Sequence, residues 1–179
     1  MIVYTIGHSR HPFDKFLQLL AGHGIVQLLD VRSSPYSRFN PQFNKASLQL
    51  SLLNHNIQYI YAGTELGGRP RDPSCYKLGA TPGKEKDYLK EVDYQVVMKR
   101  AWFITGIQQL LDLAKHDTTS IMCSEEDPSY CHRHHLIAAY LIRQYPDVTI
   151  FHIRKDGSLL NAKSIQSLPN KPNEKPLSI

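Results

Sequence analysis

The sequence predicts an α/β fold with a mostly parallel sheet, on three observations. Short β-branched or aromatic runs alternate with longer stretches whose apolar residues recur every three or four positions. Three of the short runs end in polar residues able to do chemistry. The apolar pattern continues without a repeat or a domain boundary until about Leu168, where Pro, Asn and Lys take over. The expectation is a single Rossmann-like three-layer domain over 1–168 and a disordered tail over 169–179.

Ile2-Val3-Tyr4-Thr5-Ile6, stopped by Gly7, reads as the first strand. Pro12 opens a helix in which Phe13, Phe16, Leu17 and Leu20 share a face until Gly22 and Gly24 end it. A second strand follows over 26–31, then a helix over 46–54 with Leu48, Leu52 and Leu53 on one side, then a third strand over 57–61. This β-α-β-α-β order implies parallel strands with right-handed crossovers. Residues 62–83 lapse into Gly, Pro, Arg and Asp, the pattern of a functional loop or lid. Helical spacing returns in Tyr88, Leu89, Val92, Val96 and Val97, and again in Ile104, Ile107, Leu110, Leu111 and Leu113. A buried strand over 119–122 ends at Cys123, Pro128 is expected to open a helix reaching about Gln144, and a last strand occupies 148–153.

Composition narrows the class. Apolar residues at 41% against charged residues at 21% are ordinary for a globular domain and argue against global disorder. No apolar run approaches the ~20 residues that span a bilayer, so no membrane partner is expected. The chain runs from Met1 directly into a strand, with no basic segment or small-residue cleavage site. Three cysteines, an odd number set among reactive groups, fit a reducing compartment better than a disulfide framework. A cytoplasmic location is expected. The net charge of +5 favours an anionic partner, although Lys163, Lys171 and Lys175 supply part of it. Oligomeric state is left open.

The chemistry collects at strand ends: Gly7-His8-Ser9, Asp30-Val31-Arg32-Ser33-Ser34, and Cys123-Ser124-Glu125. If the strands are parallel, these exits share one edge of the sheet, where open α/β folds bind ligands. A solvated loop explains any one of them; three together point to a crevice. In the loop after the second strand, Arg32 and Arg38 can fork onto phosphate or carboxylate oxygens, and Tyr36 or Phe39 can stack on a base. The alternative is that Arg32 pairs internally with Asp30 or Glu125. Gly67-Gly68-Arg69 allows close backbone approach to an anion, a weaker signal.

Cys123 is a candidate nucleophile, but Glu125, Glu126 and Asp127 would raise its pKa. The arginine position of a Cys-x5-Arg phosphate loop starting at Cys123 is taken by Ser129, which disfavours a tyrosine phosphatase or rhodanese design. Cys131 and His135 lie four apart, and with Cys123 or His8 would make a soft metal site; with no Cys-x2-Cys and no regular spacing, no metal or other cofactor is expected.

In these residues the chain resembles the domain of unknown function 488 family. The resemblance rests on Thr5-Ile6-Gly7-His8-Ser9, on Leu29 through Asn40 (including Asp30, Arg32, Ser34, Tyr36 and Arg38), on Leu66-Gly67-Gly68, and on Cys123-Ser124-Glu125 through Cys131-His132-Arg133. It implies a compact α/β fold with these motifs gathered at one site, and carries no reaction with it.

The expected function is an enzyme on a phosphate-bearing substrate, a nucleotide or nucleic acid. Glu125, with Asp30 near it, would act as general base or stabilise positive charge on a sugar carbon, His8 would carry a proton, and Cys123 completes the catalytic set. Arg32, Arg38 and Arg133 would hold the anion, with Ser9, Ser34, Tyr36, Arg69, Cys131 and His132 as further substrate contacts. One alternative is a non-catalytic nucleotide or nucleic-acid binding module. The other is thiol chemistry at Cys123 with Cys131 as resolving partner.

Overall fold

The structure is a computed structural model that describes residues 1–82 and 87–165. The expected tail at 169–179 therefore lies outside the described residues. One six-stranded sheet organises the chain in the order β3-β2-β4-β1-β5-β6. Its strands are β1 (Ile2–Gly7), β2 (Gln27–Asp30), β3 (Gln58–Tyr61), β4 (Thr119–Cys123), β5 (Thr149–Ile153) and β6 (Leu159–Asn161). The first five run parallel, as the alternation of strands and helices requires. In the Rossmann order β1 lies beside β2; here β4 is inserted between them, paired to β1 on one side and β2 on the other.

The helices are α1 (Phe13–Ala21), α2 (Lys45–Leu53), α3 (Gly63–Leu66), α4 (Tyr88–Glu91), α5 (Tyr94–Val97), α6 (Ala101–His116) and α7 (Ala139–Gln144). Successive strand side chains point to opposite faces, so each buried strand feeds two separate cores. Leu28, Met122, Ile6 and Ile153 pack with Phe16 and Leu20 of α1 and Leu48 and Leu52 of α2. Leu29, Ile121, Val3 and Ile150 pack with Phe103, Ile107 and Leu110 of α6 and Leu141 of α7. Helices thus cover both faces of the sheet. None of the described helices is long and apolar enough to cross a membrane.

Three expectations need correction. The helical spacing at Tyr88–Val97 is two single turns, because Val92 leaves the helix to bridge Tyr76 and the Asp93 side chain accepts from the Gln95 and Val96 N–H groups to start α5 afresh. The helix expected from Pro128 is also broken. Asp127 accepts from Ser129 N–H to start only a 3-10 turn over Pro128–Tyr130, and Cys131 is then extended (φ −137°, ψ 140°). A π-helical turn at Arg133–Ala138 leads into α7; such turns recur where a helix aims side chains at a site. Finally, the antiparallel β6 was not anticipated. It folds back on β5 through Asp156-Gly157, with Gly157 at φ +87°, and a strand of three residues carries little periodic signal.

Candidate functional site

The insertion of β4 between β1 and β2 makes the three polar strand exits neighbours. Gly7 is in register with Cys123, and Asp30 with Met122. Backbone bonds continue past the strand ends: His8 N–H to Cys123 O (2.9 Å), Ser9 N–H to Ser124 O (2.8 Å) and Val31 N–H to Met122 O (3.0 Å). The chains approach so closely that a Cβ on Gly7 would lie 1.8 Å from the Glu125 carbonyl oxygen. Ser9 sits at φ +49°, a left-handed conformation uncommon outside glycine; strain of this kind collects at functional sites.

Beneath these exits lies a buried polar cluster. Arg32 forks onto Asp30, Nε to Oδ1 at 2.8 Å and Nη2 to Oδ2 at 2.6 Å, and Nη2 also reaches the Phe43 carbonyl at 2.7 Å. Tyr59 donates its hydroxyl to Asp30 Oδ2 at 2.8 Å, and burial followed by the Asp30 charge raises its phenol pKa. Arg32 Nη1 stands 3.2 Å from His8 Nε2. Because a guanidinium only donates, Nε2 must accept, and the proton of His8 sits on Nδ1, 2.8 Å from the Ser9 carbonyl. Burial and then the Arg32 charge lower the His8 pKa to about 4. His8 is therefore a neutral imidazole near neutral pH.

Arg133 is fully buried. Its Nε donates to Thr5 Oγ1 (3.2 Å), its Nη2 to Glu126 O (2.6 Å) and its Nη1 to Glu125 O. It holds the loop after β4 in place and does not face the crevice. Behind it, Thr5 Oγ1 meets His152 Nδ1 at 2.7 Å, and His152 Nε2 meets His134 Nδ1 at 3.2 Å.

The extended Cys131 turns its thiol back beside Cys123, next to His132. His132 Nδ1 is 3.6 Å from Cys123 Sγ and 3.9 Å from Cys131 Sγ, while its Nε2 donates to the Val31 carbonyl at 3.1 Å. Glu125 Oε2 lies 3.3 Å from Cys123 Sγ. Cys123, Cys131 and His132 can each offer one ligand atom, all within 4.8 Å of one another, and are the metal-capable group among the described residues. His135, whose spacing from Cys131 would have allowed a shared metal, instead bonds the Ser129 carbonyl at 2.6 Å. The two thiols differ in acidity. The neighbouring Cys131 and then burial push Cys123 well up. Burial also opposes ionisation of Cys131, but the Cys123 hydrogen bond, the Arg133 charge and His132 bring it well down. Glu125 is exposed as a residue, yet its carboxyl end lies against these thiols; lost hydration, then the Cys131 charge, raise its pKa.

Above the cluster opens a crevice of two lobes, about 440 and 470 Å³. Arg32, Tyr36, Ser124 and Glu125 border both. The first lobe adds Ser34, Arg69, Cys123, Cys131 and His132, and the second adds His8 and Ser9. Arg69 lies over the Tyr88 ring, 4.1 Å from its centroid. Two predicted residues fall elsewhere: Arg133 points into the interior, and the exposed Arg38 stacks on Phe39 at 4.8 Å, outside both lobes. Asp30 lies under the floor rather than on it, fully buried. Sequence reasoning missed Arg10 in the second lobe and Tyr88 and Tyr130 in the first. Arg10 directly follows the Gly7-His8-Ser9 motif and Tyr130 directly precedes Cys131-His132, signals that were there to read; Tyr88 carries none.

Comparison with curated proteins gives no match, and neither does comparison with solved structures. A family model described as Domain of unknown function DUF488 matches residues 12–141, more than two thirds of the chain and a span that includes β2, β4 and the Cys131-His132 segment. By that match the chain belongs to the DUF488 family.

Proposed function

We propose that this chain is an enzyme acting on a phosphate-bearing substrate, a nucleotide or nucleic acid, in the crevice above β1, β4 and β2. The observation that carries this reading is the position of Glu125. It stands where the two lobes meet, bordered by Tyr36, with Arg69 lining one lobe and Arg10 the other. Tyr36 and Tyr130 are each 71% exposed, which leaves their ring faces available for stacking on a base. A substrate spanning the lobes would put the sugar that joins base and phosphate beside the Glu125 carboxylate. There Glu125 serves as general base or stabilises developing positive charge. The neutral His8 accepts from Arg32 through Nε2, so its part is to hold that guanidinium and the Ser9 turn. The anion-holding role moves from Arg32 and Arg133, both engaged internally, to Arg10 and Arg69.

A panel of mononucleotides and short single-stranded oligonucleotides, followed by thermal shift and by product analysis, tests the reading. Ligands of this class should raise the Tm in proportion to the logarithm of their concentration above Kd, and Glu125→Gln should keep the shift while losing turnover. A shift with no turnover by the unaltered chain would indicate a binding module instead. No shift across the panel would reject the substrate class.

A further inference from the structure

The geometry points to a zinc site built from Cys123, Cys131 and His132, with its open position facing the crevice. This inference stands apart from the substrate reading above. Tetrahedral zinc, with Zn–S about 2.3 Å and Zn–N about 2.0–2.1 Å, sets its nitrogen and sulfur ligands about 3.6 Å apart. Here the His132 Nδ1 to Cys123 and Cys131 Sγ separations are 3.6 and 3.9 Å. All three ligand atoms lie within 4.8 Å of one another, so one ion placed between them could draw them into a single site.

The histidine is already set up for the role. Carbonyl oxygen only accepts, so the Val31 carbonyl at 3.1 Å accepts a hydrogen bond from His132 Nε2–H. The Nδ1 lone pair then faces the two sulfurs, and metal-binding histidines are oriented in this way by a hydrogen bond from their other ring nitrogen. Gly68 packs closely against the ring: a Cβ there would come within 2.5 Å of His132 Cγ. The backbone serves the same end. The extended Cys131 interrupts what would otherwise be a continuous helix and brings its thiol to Cys123 from a different element. The linear spacing of Cys123, Cys131 and His132 does not announce this; by spacing it was His135 that stood as the partner of Cys131, and no metal was expected.

Two thiolates and an imidazole suit zinc among the common divalent ions. A divalent ion held by two thiolates and a neutral imidazole carries no net charge with them. All three ligands line the first lobe, where Glu125 Oε2 is 3.3 Å from Cys123 Sγ. Three protein ligands with a fourth position open to a cleft is the arrangement of a catalytic zinc. Water in that position would lie beside the Glu125 carboxylate.

The test uses the full chain, untagged and purified without chelator, with zinc and cobalt(II) as probes. We expect about one zinc per chain by elemental analysis, retained in Cys75→Ser and lost in Cys123→Ser, Cys131→Ser and His132→Ala. Because those variants can lose metal by failing to fold, the unaltered chain is also stripped and refilled with cobalt. It should then show sulfur-to-cobalt charge transfer and the intense visible bands of a tetrahedral ion, with an unchanged far-ultraviolet circular dichroism spectrum. Stripped chain that keeps its fold and gives no such bands would overturn the proposal. So would zinc that persists in all three ligand variants, or a metal-free chain isolated with a Cys123–Cys131 disulfide.

Discussion

Arg32 and Asp30, two residues apart at the end of β2, form a two-pronged ion pair with side chains only 4% and 0% exposed. A pair this deep costs hydration on both sides, and the protein offsets the cost with further partners: Tyr59 on the carboxylate, and His8 and the Phe43 carbonyl on the guanidinium. Removing one partner strands the other. Arg32→Ala should therefore destabilise the fold by about 3–5 kcal/mol, and Tyr59→Phe, which removes a single hydrogen bond to a charged group, by about 1.5–3 kcal/mol. Urea unfolding of both variants checks the order. An Arg32→Ala protein as stable as the parent would mean the guanidinium is free to bind an external anion.

This pair also marks the limit of what the sequence could tell. The convergence of His8, Arg32, Cys123 and Glu125 was legible, because it needs only that β1, β2 and β4 run parallel. Whether Arg32 faces a ligand or Asp30 is decided by side-chain partners such as Tyr59 and Phe43, which lie 29 and 11 residues away along the chain. Arg133 was misjudged for the same reason: its inward course depends on free carbonyls after β4 that no local pattern reveals. The break at Val92–Asp93 was legible in principle, since aspartate is a good helix cap. Apolar periodicity running across it concealed the signal.

Two glycines should prove intolerant for different reasons. At Gly7 a Cβ would meet backbone, the Glu125 carbonyl at 1.8 Å, so relief requires parting β1 from the loop after β4. At Gly68 it would meet the His132 ring, which can move. Gly7→Ala should thus cost more than the roughly 1–3 kcal/mol typical of overpacking, and Gly68→Ala should fall within it. In Gly68→Ala the His132 Nε2–H bond to Val31 should also break. Proton NMR can follow that hydrogen-bonded ring N–H, and its survival in Gly68→Ala would show that the loop yields instead of the imidazole.

The two arginines at the crevice ends should separate the parts of a bound nucleotide. Arg69 lies over Tyr88 in the first lobe, and Arg10 is exposed in the second. If the phosphate occupies one lobe, Ala at that arginine should weaken nucleotide binding about tenfold or more, the loss of a charge-assisted contact of about 1.5–3 kcal/mol. Ala at the other should have little effect. Both variants should keep the parent Tm without ligand, since neither arginine is part of the buried Asp30 cluster. Calorimetric titration decides between them, and equal, small effects at both would place the phosphate outside the crevice.

Acid should unfold this protein through its buried histidines. Burial, followed by the Arg32 charge, holds His8 at about 4, with His11 acting in the same direction and the Ser9 carbonyl and the Asp30 charge opposing. Burial and then the Arg133 charge hold His152 at about 3, with His134 and Arg154 acting in the same direction and Cys131 opposing. Both pKa values lie below the roughly 6.5 of an unfolded histidine. Between those limits the unfolded chain binds more protons than the folded one, so stability falls as pH falls. The contribution is complete above about pH 6.5 and is lost progressively towards pH 4 for His8 and pH 3 for His152, at up to about 1.4 kcal/mol per pH unit for each. Urea unfolding at pH 7.5, 6.0 and 5.0 should therefore show a steep decline (all three about the transition of a free histidine). His8→Gln, which keeps an acceptor for Arg32, should flatten it by about 1.4 kcal/mol per unit between pH 6 and 5. An unchanged slope in His8→Gln would mean that His8 is already protonated in the folded state, and that Arg32 Nη1 does not donate to it.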